Sequence, residues 1–332
     1  MIQEKNIAVI GPGRMGIGIV TALLSSNRRL RIKLIDLKER AKGQEHSALN
    51  RAKHEIESNL KLLKALGNLQ QAPSQLMKGL CFLSDLREDL ADCAVIFEAL
   101  PEKPNLKQEF IKRIEPLLDP KAIIASATST IDLQTFWDVS SAPERIVTAH
   151  WLNPAFIIPL VEVSISERTA TWASDTIKSF LMEIGKIPVT VKDSPGFIVP
   201  RIQVAAMNEA VRILEEGVAT PEDVDTAIKA GFGFRLAVLG LVEFIDLGGL
   251  DILFHASRFL HGKLGQYQYK PLRTVVEKME RGEIGPKSGK GFYDYSNVNT
   301  EAMFNKRYRG LLELLNLIKT SETLSFYGGV QD

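Results

Sequence analysis

A histidine and a glutamate in two successive apolar runs are the residues of this chain best suited to moving a proton. Ile146-Val147-Thr148-Ala149 ends in His150, and Glu162 lies inside Ile157-Ile158-Pro159-Leu160-Val161-Glu162-Val163. Side chains alternate faces along a strand, so Leu160, Glu162 and Ser164 share one side. A carboxylate buried among Leu and Val costs several kcal/mol unless it is paired. The chain has 5 histidines, and His150 ends the run just before. If the two strands are close, Glu162 accepts a hydrogen bond from one ring nitrogen and holds the other toward a substrate. That pair is a general base whose carboxylate stabilises the imidazolium. The plainer alternative is a histidine capping one strand and a glutamate exposed on an edge.

A second set of residues suits a dinucleotide. The apolar run Ile7 to Ile10 ends in Gly11-Pro12-Gly13-Arg14-Met15-Gly16 and passes into a helical pattern with Ile17, Val20, Leu23 and Leu24 on one face. A second run, Leu34-Ile35, ends in Asp36. Gly11 permits the tight turn, Gly13 lets the backbone approach a pyrophosphate, and Gly16 lets helix and strand pack closely. Unpaired N–H groups at the helix start then meet the phosphate charge. Asp36 accepts from the ribose hydroxyls and repels a 2′-phosphate, which favours NAD over NADP. Lys38 and Arg40, just beyond it, leave some room for NADP. An ordinary glycine-rich loop of another α/β fold is the competing reading.

These residues need a sheet to position them. Apolar strand-like runs recur at residues 7–10, 32–35, 80–83, 94–97, 122–126, 146–149, 158–163 and 187–191, and helical patterns separate most of them. That alternation predicts βαβ units and a mainly parallel sheet, whose reactive groups collect at the carboxyl ends of the strands. Glu98 ends one such strand and is expected beside the nucleotide crevice, with a helix-start acid on a loop as its alternative. The segment from Leu37 to Gly79 reads as a helical excursion, with Leu49, Ala52, Ile56, Leu60 and Leu63 as an apolar stripe and Arg51, Lys53, Lys61 and Lys64 outside it. Cys81 and Cys93 are flanked by apolar residues and read as core. No Cys/His spacing suggests a metal.

The texture changes at Lys192-Asp193-Ser194-Pro195-Gly196. Beyond it the periodicity is almost purely helical, so a boundary falls near residue 194, giving domains 1–193 and 194–332. The apolar stretch Leu236 to Leu253 carries few charges, and such a helix needs burial on more than one side. A homodimer interface would supply that burial. At 332 residues the chain can bury a sizeable core. A net charge of +1 gives no electrostatic case for nucleic acid or a membrane surface, and no apolar stretch reaches the ~18 residues of a bilayer span. Two cysteines imply no disulfide framework, and the N-terminus runs straight into the first strand. A cytoplasmic enzyme is the expectation.

At these motifs the chain resembles the 3-hydroxyacyl-CoA dehydrogenases, and among them the short-chain 3-hydroxybutyryl-CoA type. The resemblance rests on Gly11 to Gly16, Phe97-Glu98-Ala99-Leu100-Pro101-Glu102, Ala125-Ser126-Ala127-Thr128-Ser129, Ala149-His150-Trp151-Leu152-Asn153-Pro154 with Leu160 to Val163, Lys192 to Val199, and Gly289-Lys290-Gly291-Phe292-Tyr293-Asp294-Tyr295. It implies an α/β chain: a Rossmann-type, mainly parallel NAD-binding domain followed by an all-α domain. It also implies a place in fatty acid metabolism. By the resemblance His150 takes the proton of the 3-hydroxyl while hydride leaves for the nicotinamide, Glu162 orients it, and Ser129 hydrogen-bonds the substrate oxygen. Gly11, Gly13, Arg14, Met15, Gly16 and Asp36 hold the cofactor. Glu98 and Lys103 match nicotinamide-side contacts, although relatives more often carry Asn at position 103.

Two departures from the pattern bear on substrate. The usual Phe-Ile-Val-Asn-Arg is Phe197-Ile198-Val199-Pro200-Arg201, so a side-chain donor is replaced by Pro200; either Asn153 or Gln203 substitutes, or the substrate does not need that contact. A second usual Asn is Ala127. The segment Gly233-Phe234-Arg235-Leu236 resembles relatives that oxidise free hydroxy acids, the L-gulonate 3-dehydrogenases and carnitine dehydrogenases; Arg235 can hold a carboxylate in two prongs, and can equally meet a CoA phosphate or pair with a glutamate. The expected substrate is a short 3-hydroxyacyl-CoA, with the basic residues after Asp36, Lys42 among them, available to its phosphates. The alternatives are a free hydroxy acid, or a catalytically weakened nucleotide-binding protein like the lambda-crystallin relatives.

Overall fold

The computed structural model describes residues 6–26, 28–38, 47–86, 90–321 and 323–326. Arg40 and Lys42 lie outside them. The chain divides into two compact units, Met1–Ala206 and Met207–Asp332, and the division lies inside the helix Val199–Glu215.

The first unit is built on one sheet of eight strands: β1 (Asn6–Ile10), β2 (Arg31–Ile35), β3 (Leu80–Leu83), β4 (Cys93–Glu98), β5 (Ile123–Ser126), β6 (Ile146–Trp151), β7 (Leu160–Ile165) and β8 (Ile187–Lys192). Their spatial order is β3-β2-β1-β4-β5-β6-β7-β8. Every neighbouring pair is parallel except β6 and β7. The reason lies in the connection: too few residues separate β6 from β7 for a crossover helix, so the chain must return beside itself.

Alternation along the strands feeds two cores. Ile7, Val9, Leu34, Val95 and Phe97 face one layer, which contains α1 (Arg14–Ser25), α2 (Ser47–Ala65) and the helix Thr171–Glu183. Ala8, Ile10, Ile35, Ile96 and Ile124 face the other, with the helices Pro104–Ile114 and Leu133–Trp137. A parallel sheet covered on both faces demands such near-continuous apolar strands. The excursion helix α2 buries Leu49, Ala52, Ile56, Leu60 and Leu63, the stripe that its sequence predicts. Cys93 is buried and Cys81 is exposed. The difference is topological, because β3 is an edge strand.

The second unit is helical. Its weakly charged stretch is not one helix. Gly240 and Gly249 break it into Leu241–Gly248 and Leu250–Leu264. Asp246, 1% exposed, accepts from the backbone N–H groups of Phe292 and Tyr293 at 2.9 Å each and from the Tyr295 hydroxyl at 3.1 Å. A Cβ on Gly291 would stand 2.4 Å from the Asp246 carboxylate. The Gly289–Tyr295 motif is therefore a packing hub inside this unit. No helix among the described residues is long and apolar enough to cross a membrane.

Candidate functional site

The glycine turn after β1 forms one wall of a cavity of about 620 Å³. Gly11 has φ +103°, and a Cβ there would lie 2.6 Å from the Ala99 carbonyl oxygen; one on Gly16 would lie 2.0 Å from that of Gly11. Both are required by the protein's own packing. A Cβ on Gly13 would meet nothing within 4 Å, yet Gly13 lies on the cavity wall, so the space it leaves open belongs to a ligand. Gly13 is also the N-cap of α1 and caps it with no side chain. The first-turn amides of the helix are thus available to an anion. Arg14 and Met15 line the same wall.

Asp36 lines the cavity where β2 ends, 6% exposed, with its backbone N–H bonded to the Leu83 carbonyl at 3.0 Å. Its carboxylate accepts from the Lys38 backbone N–H at 3.2 Å. Lys38, Arg51 and Lys103 also line the cavity. A turn with room at Gly13, an uncapped helix start and a carboxylate on the next strand fit NAD, whose nicotinamide accepts a hydride when bound.

Glu98, at the end of β4, is fully buried and lies outside the wall of this cavity. Its oxygens accept from Lys107 Nζ at 2.7 and 2.8 Å, from the Leu100 backbone N–H at 2.7 Å, and from the Ser126 hydroxyl. Lys107 is itself 1% exposed. A buried pair satisfied on so many sides holds β4, β5 and the helix Pro104–Ile114 together. Glu102, which the sequence reading missed, is the partly exposed carboxylate of this region. It accepts from the Thr128 hydroxyl, from the backbone N–H groups of Ser129 and Thr130 at 3.0 and 3.1 Å, and from the Thr130 hydroxyl at 3.0 Å. Burial pushes its carboxyl up, but the hydrogen bond from Thr128 and the charge of Lys107 hold it below the ordinary glutamate value. Only the placement of 128–130 after β5 could reveal it.

The antiparallel register sets His150 directly opposite Glu162. His150 Nδ1 lies 2.7 Å from Glu162 Oε2, with the two side chains 7% and 1% exposed. The other oxygen of Glu162 accepts from the backbone N–H groups of Ile198 and Val199 at 2.9 and 3.0 Å. Both oxygens of this buried carboxylate thus have a donor, three in all. The hydrogen bond at Nδ1 fixes the proton there and leaves Nε2 as the acceptor nitrogen. Phe197 packs against the imidazole, ring centroids 5.6 Å apart. The two amides come from the segment that reads in sequence as a boundary, and no side-chain pattern announces them.

Pro200 is explained by the same turn. It is the second residue of the helix Val199–Glu215, where a backbone N–H has no intrahelical partner and proline is well tolerated. Ser129 is half-buried, while Asn153, before a cis Pro154, is exposed. Arg235 lies on the second unit, exposed, with Nε donating to the Gly231 carbonyl at 3.1 Å and its guanidinium 4.8 Å from the centroid of Phe244. Of the basic residues of α2, Lys61 pairs with Glu57 at 3.0 Å, and Lys64 donates to the carbonyls of Leu69 and Gln70. Arg51 stands 3.5 Å from Glu55.

A dinucleotide turn, a half-buried serine and a buried histidine–carboxylate pair on one sheet define an NAD-dependent oxidoreductase. Residues 6–194 match the NAD binding domain of 3-hydroxyacyl-CoA dehydrogenase, and residues 196–295 match its C-terminal domain. The chain belongs to the 3-hydroxyacyl-CoA dehydrogenase family. It is 33% identical to a probable 3-hydroxybutyryl-CoA dehydrogenase of Deinococcus radiodurans, over 86% of this chain and 99% of that one. It is also 33% identical to the 5-formyl-3-hydroxy-2-methylpyridine 4-carboxylate 5-dehydrogenase of Mesorhizobium japonicum, over 96% and 99%. The crystal structure of a 3-hydroxyacyl-CoA dehydrogenase from Archaeoglobus fulgidus superposes with a TM-score of 0.74 at 31% identity, covering 95% of this chain and all of that one.

Proposed function

We propose that this enzyme oxidises a short (S)-3-hydroxyacyl-CoA, such as 3-hydroxybutyryl-CoA, to the 3-ketoacyl-CoA. The observation that carries the reading is the His150–Glu162 contact at 2.7 Å. Nε2 of His150 takes the proton of the 3-hydroxyl, the hydrogen on C3 departs as hydride to the bound cofactor, and Glu162 stabilises the resulting imidazolium. Ser129 hydrogen-bonds the substrate oxygen, and Asn153 stands in for the donor that Pro200 lacks. Lys103, with Gly11, Gly13, Arg14, Met15, Gly16 and Asp36, holds the cofactor. The domains are 1–193 for NAD and 194–332 for substrate and dimerisation, and the enzyme works in the cytoplasm as a homodimer. Apolar side chains left exposed along the helices of the second unit, Met207, Val211, Ile252 and Phe259 among them, support that dimer.

One observation favours a second reading. The terminal nitrogens of Arg235 make no hydrogen bond to a described residue, while Phe244 supports the face of the guanidinium. That presents a fork to a carboxylate, and the Mesorhizobium relative is named for a pyridine carboxylate. A free hydroxy acid would use it. An NADH absorbance assay across hydroxyacyl-CoAs and free hydroxy acids separates the readings. Turnover of 3-hydroxybutyryl-CoA, with a mild effect of Arg235→Ala, supports the thioester. Turnover of free acids alone, abolished by Arg235→Ala, overturns it. No turnover of either supports a catalytically weakened protein.

A further inference from the structure

We propose that Phe197 is a positioning residue for the proton-transferring pair: its left-handed backbone aims two consecutive amides at Glu162 while its ring backs the imidazole of His150. The inference rests on the reading of His150 as the base.

Phe197 has φ +44° and is the only non-glycine residue with positive φ among the described residues. A left-handed backbone crowds Cβ against the following carbonyl, so glycine is the usual occupant. A phenylalanine persists there only where its surroundings over-determine the conformation, and such residues gather at functional sites. Gly196, with φ +75°, already makes the turn begin. The Phe197 N–H closes it by donating to the Ser194 carbonyl at 3.1 Å.

Two consequences meet at one carboxylate. Past the left-handed pair, the N–H groups of Ile198 and Val199 converge on Glu162 Oε1. They lie at the start of a 17-residue helix, whose dipole favours an anion there. The helix keeps none of its own hydrogen bonds waiting on them: Arg201 donates to Gly196, and Ile202 to Ile198, at 3.2 Å each. With one oxygen held by two amides and the other by His150 Nδ1, the carboxylate cannot rotate without losing a buried partner. The Phe197 side chain, 5% exposed, lies against the imidazole with its plane inclined by 39°. Glycine would satisfy the backbone and leave that face of the imidazole without support. The phenylalanine supplies that support at the cost of a left-handed backbone.

The test compares Phe197→Val, Phe197→Gly and Phe197→Tyr with wild type and His150→Ala. Turnover is measured with the best substrate of the panel, NADH affinity by fluorescence titration, and the His150 Nδ1 proton by downfield proton NMR. A β-branched residue resists positive φ, so Phe197→Val should lose ~10- to 100-fold in kcat, the scale of a small misplacement of reacting groups. KM and NADH affinity should stay within about threefold, and the downfield resonance should move or vanish. Phe197→Tyr should restore both rate and resonance. Phe197→Gly should fold readily, keep the resonance near its wild-type position through the retained amides, and recover only part of the rate. A wild-type kcat with an unmoved resonance in Phe197→Val overturns the proposal. If that variant does not fold, wild-type kcat in Phe197→Gly overturns it. Parallel losses of NADH affinity and kcat in either variant also overturn it, since they mark a merely structural role. Full activity of His150→Ala would instead refute the base itself, and the resonance in Phe197→Val still judges the positioning.

Discussion

Replacing Glu162 with Gln changes one oxygen into an NH2 group with almost no change in shape, and the structure decides which end the NH2 must take. Oε1 accepts from two backbone amides, at 2.9 and 3.0 Å, while Oε2 faces His150 Nδ1 at 2.7 Å. An NH2 turned toward the amides would set donor against donor. Each buried N–H left without an acceptor costs ~1–3 kcal/mol, so that orientation is disfavoured by ~2–6 kcal/mol. The carboxamide oxygen therefore keeps the amides, and the NH2 donates to Nδ1. His150 must then accept at Nδ1 and carry its proton on Nε2, the nitrogen meant to receive the proton of substrate. The fold survives and the base is in the wrong tautomer. An acid-to-amide change of this kind beside a catalytic histidine costs ~10⁴-fold in kcat. The assay is NADH formation with NAD and a hydroxyacyl-CoA, with NADH affinity and melting temperature as controls that should stay near wild type. A loss of less than ~10-fold in kcat, below the usual ~10²–10⁴ worth of a general base, would refute the reasoning.

Asp36→Ala should narrow the preference for NADH over NADPH in binding titrations, because it removes the carboxylate that would face a 2′-phosphate; an unchanged preference counts against Asp36 as the discriminator. Lys186 gives a pH-dependent prediction. Burial lowers its pKa from 10.5 to about 8, and its ammonium donates to the carbonyls of Ala155 and Ile158 at 2.7 and 2.9 Å. Between those values the unfolded chain binds a proton that the folded chain does not, so wild type should gain stability relative to Lys186→Met as pH rises from about 8 toward 10.5, by linkage. Denaturant titrations at pH values across that window check it, and a flat difference contradicts it. Analytical ultracentrifugation at micromolar protein should find a dimer, since Val211, Ile252 and Phe259 are more than half exposed in the single chain; a concentration-independent monomer would contradict the proposed interface.

Local patterning was enough to expose the frame of this protein. Eight apolar runs became eight strands, because burial between two helical layers leaves a strand few polar choices, and the central strands β1 and β4 show this most fully. The glycine turn was legible in part because some steric demands act on neighbours in sequence: Gly16 is fixed by the Gly11 carbonyl within the strand–turn–helix unit, whereas Gly11 is fixed by the Ala99 carbonyl beyond β4, a contact only the fold supplies. His150 and Glu162 were readable as a pair through their alternation with apolar residues. What they needed from tertiary structure was direction. The antiparallel return of β7 sets them opposite each other, and nothing in either strand specifies it. Glu98 and Glu102 show the limit more sharply. Both end the same segment, and sequence favoured the first. Lys107, nine residues on, reaches back from its helix and claims Glu98, while Glu102 reaches the 128–130 turn. The amides of Ile198 and Val199 are the extreme case, since a backbone donor carries no residue type. Which carboxylate they hold is decided by where a left-handed turn stops the chain, and that is a property of the folded molecule alone.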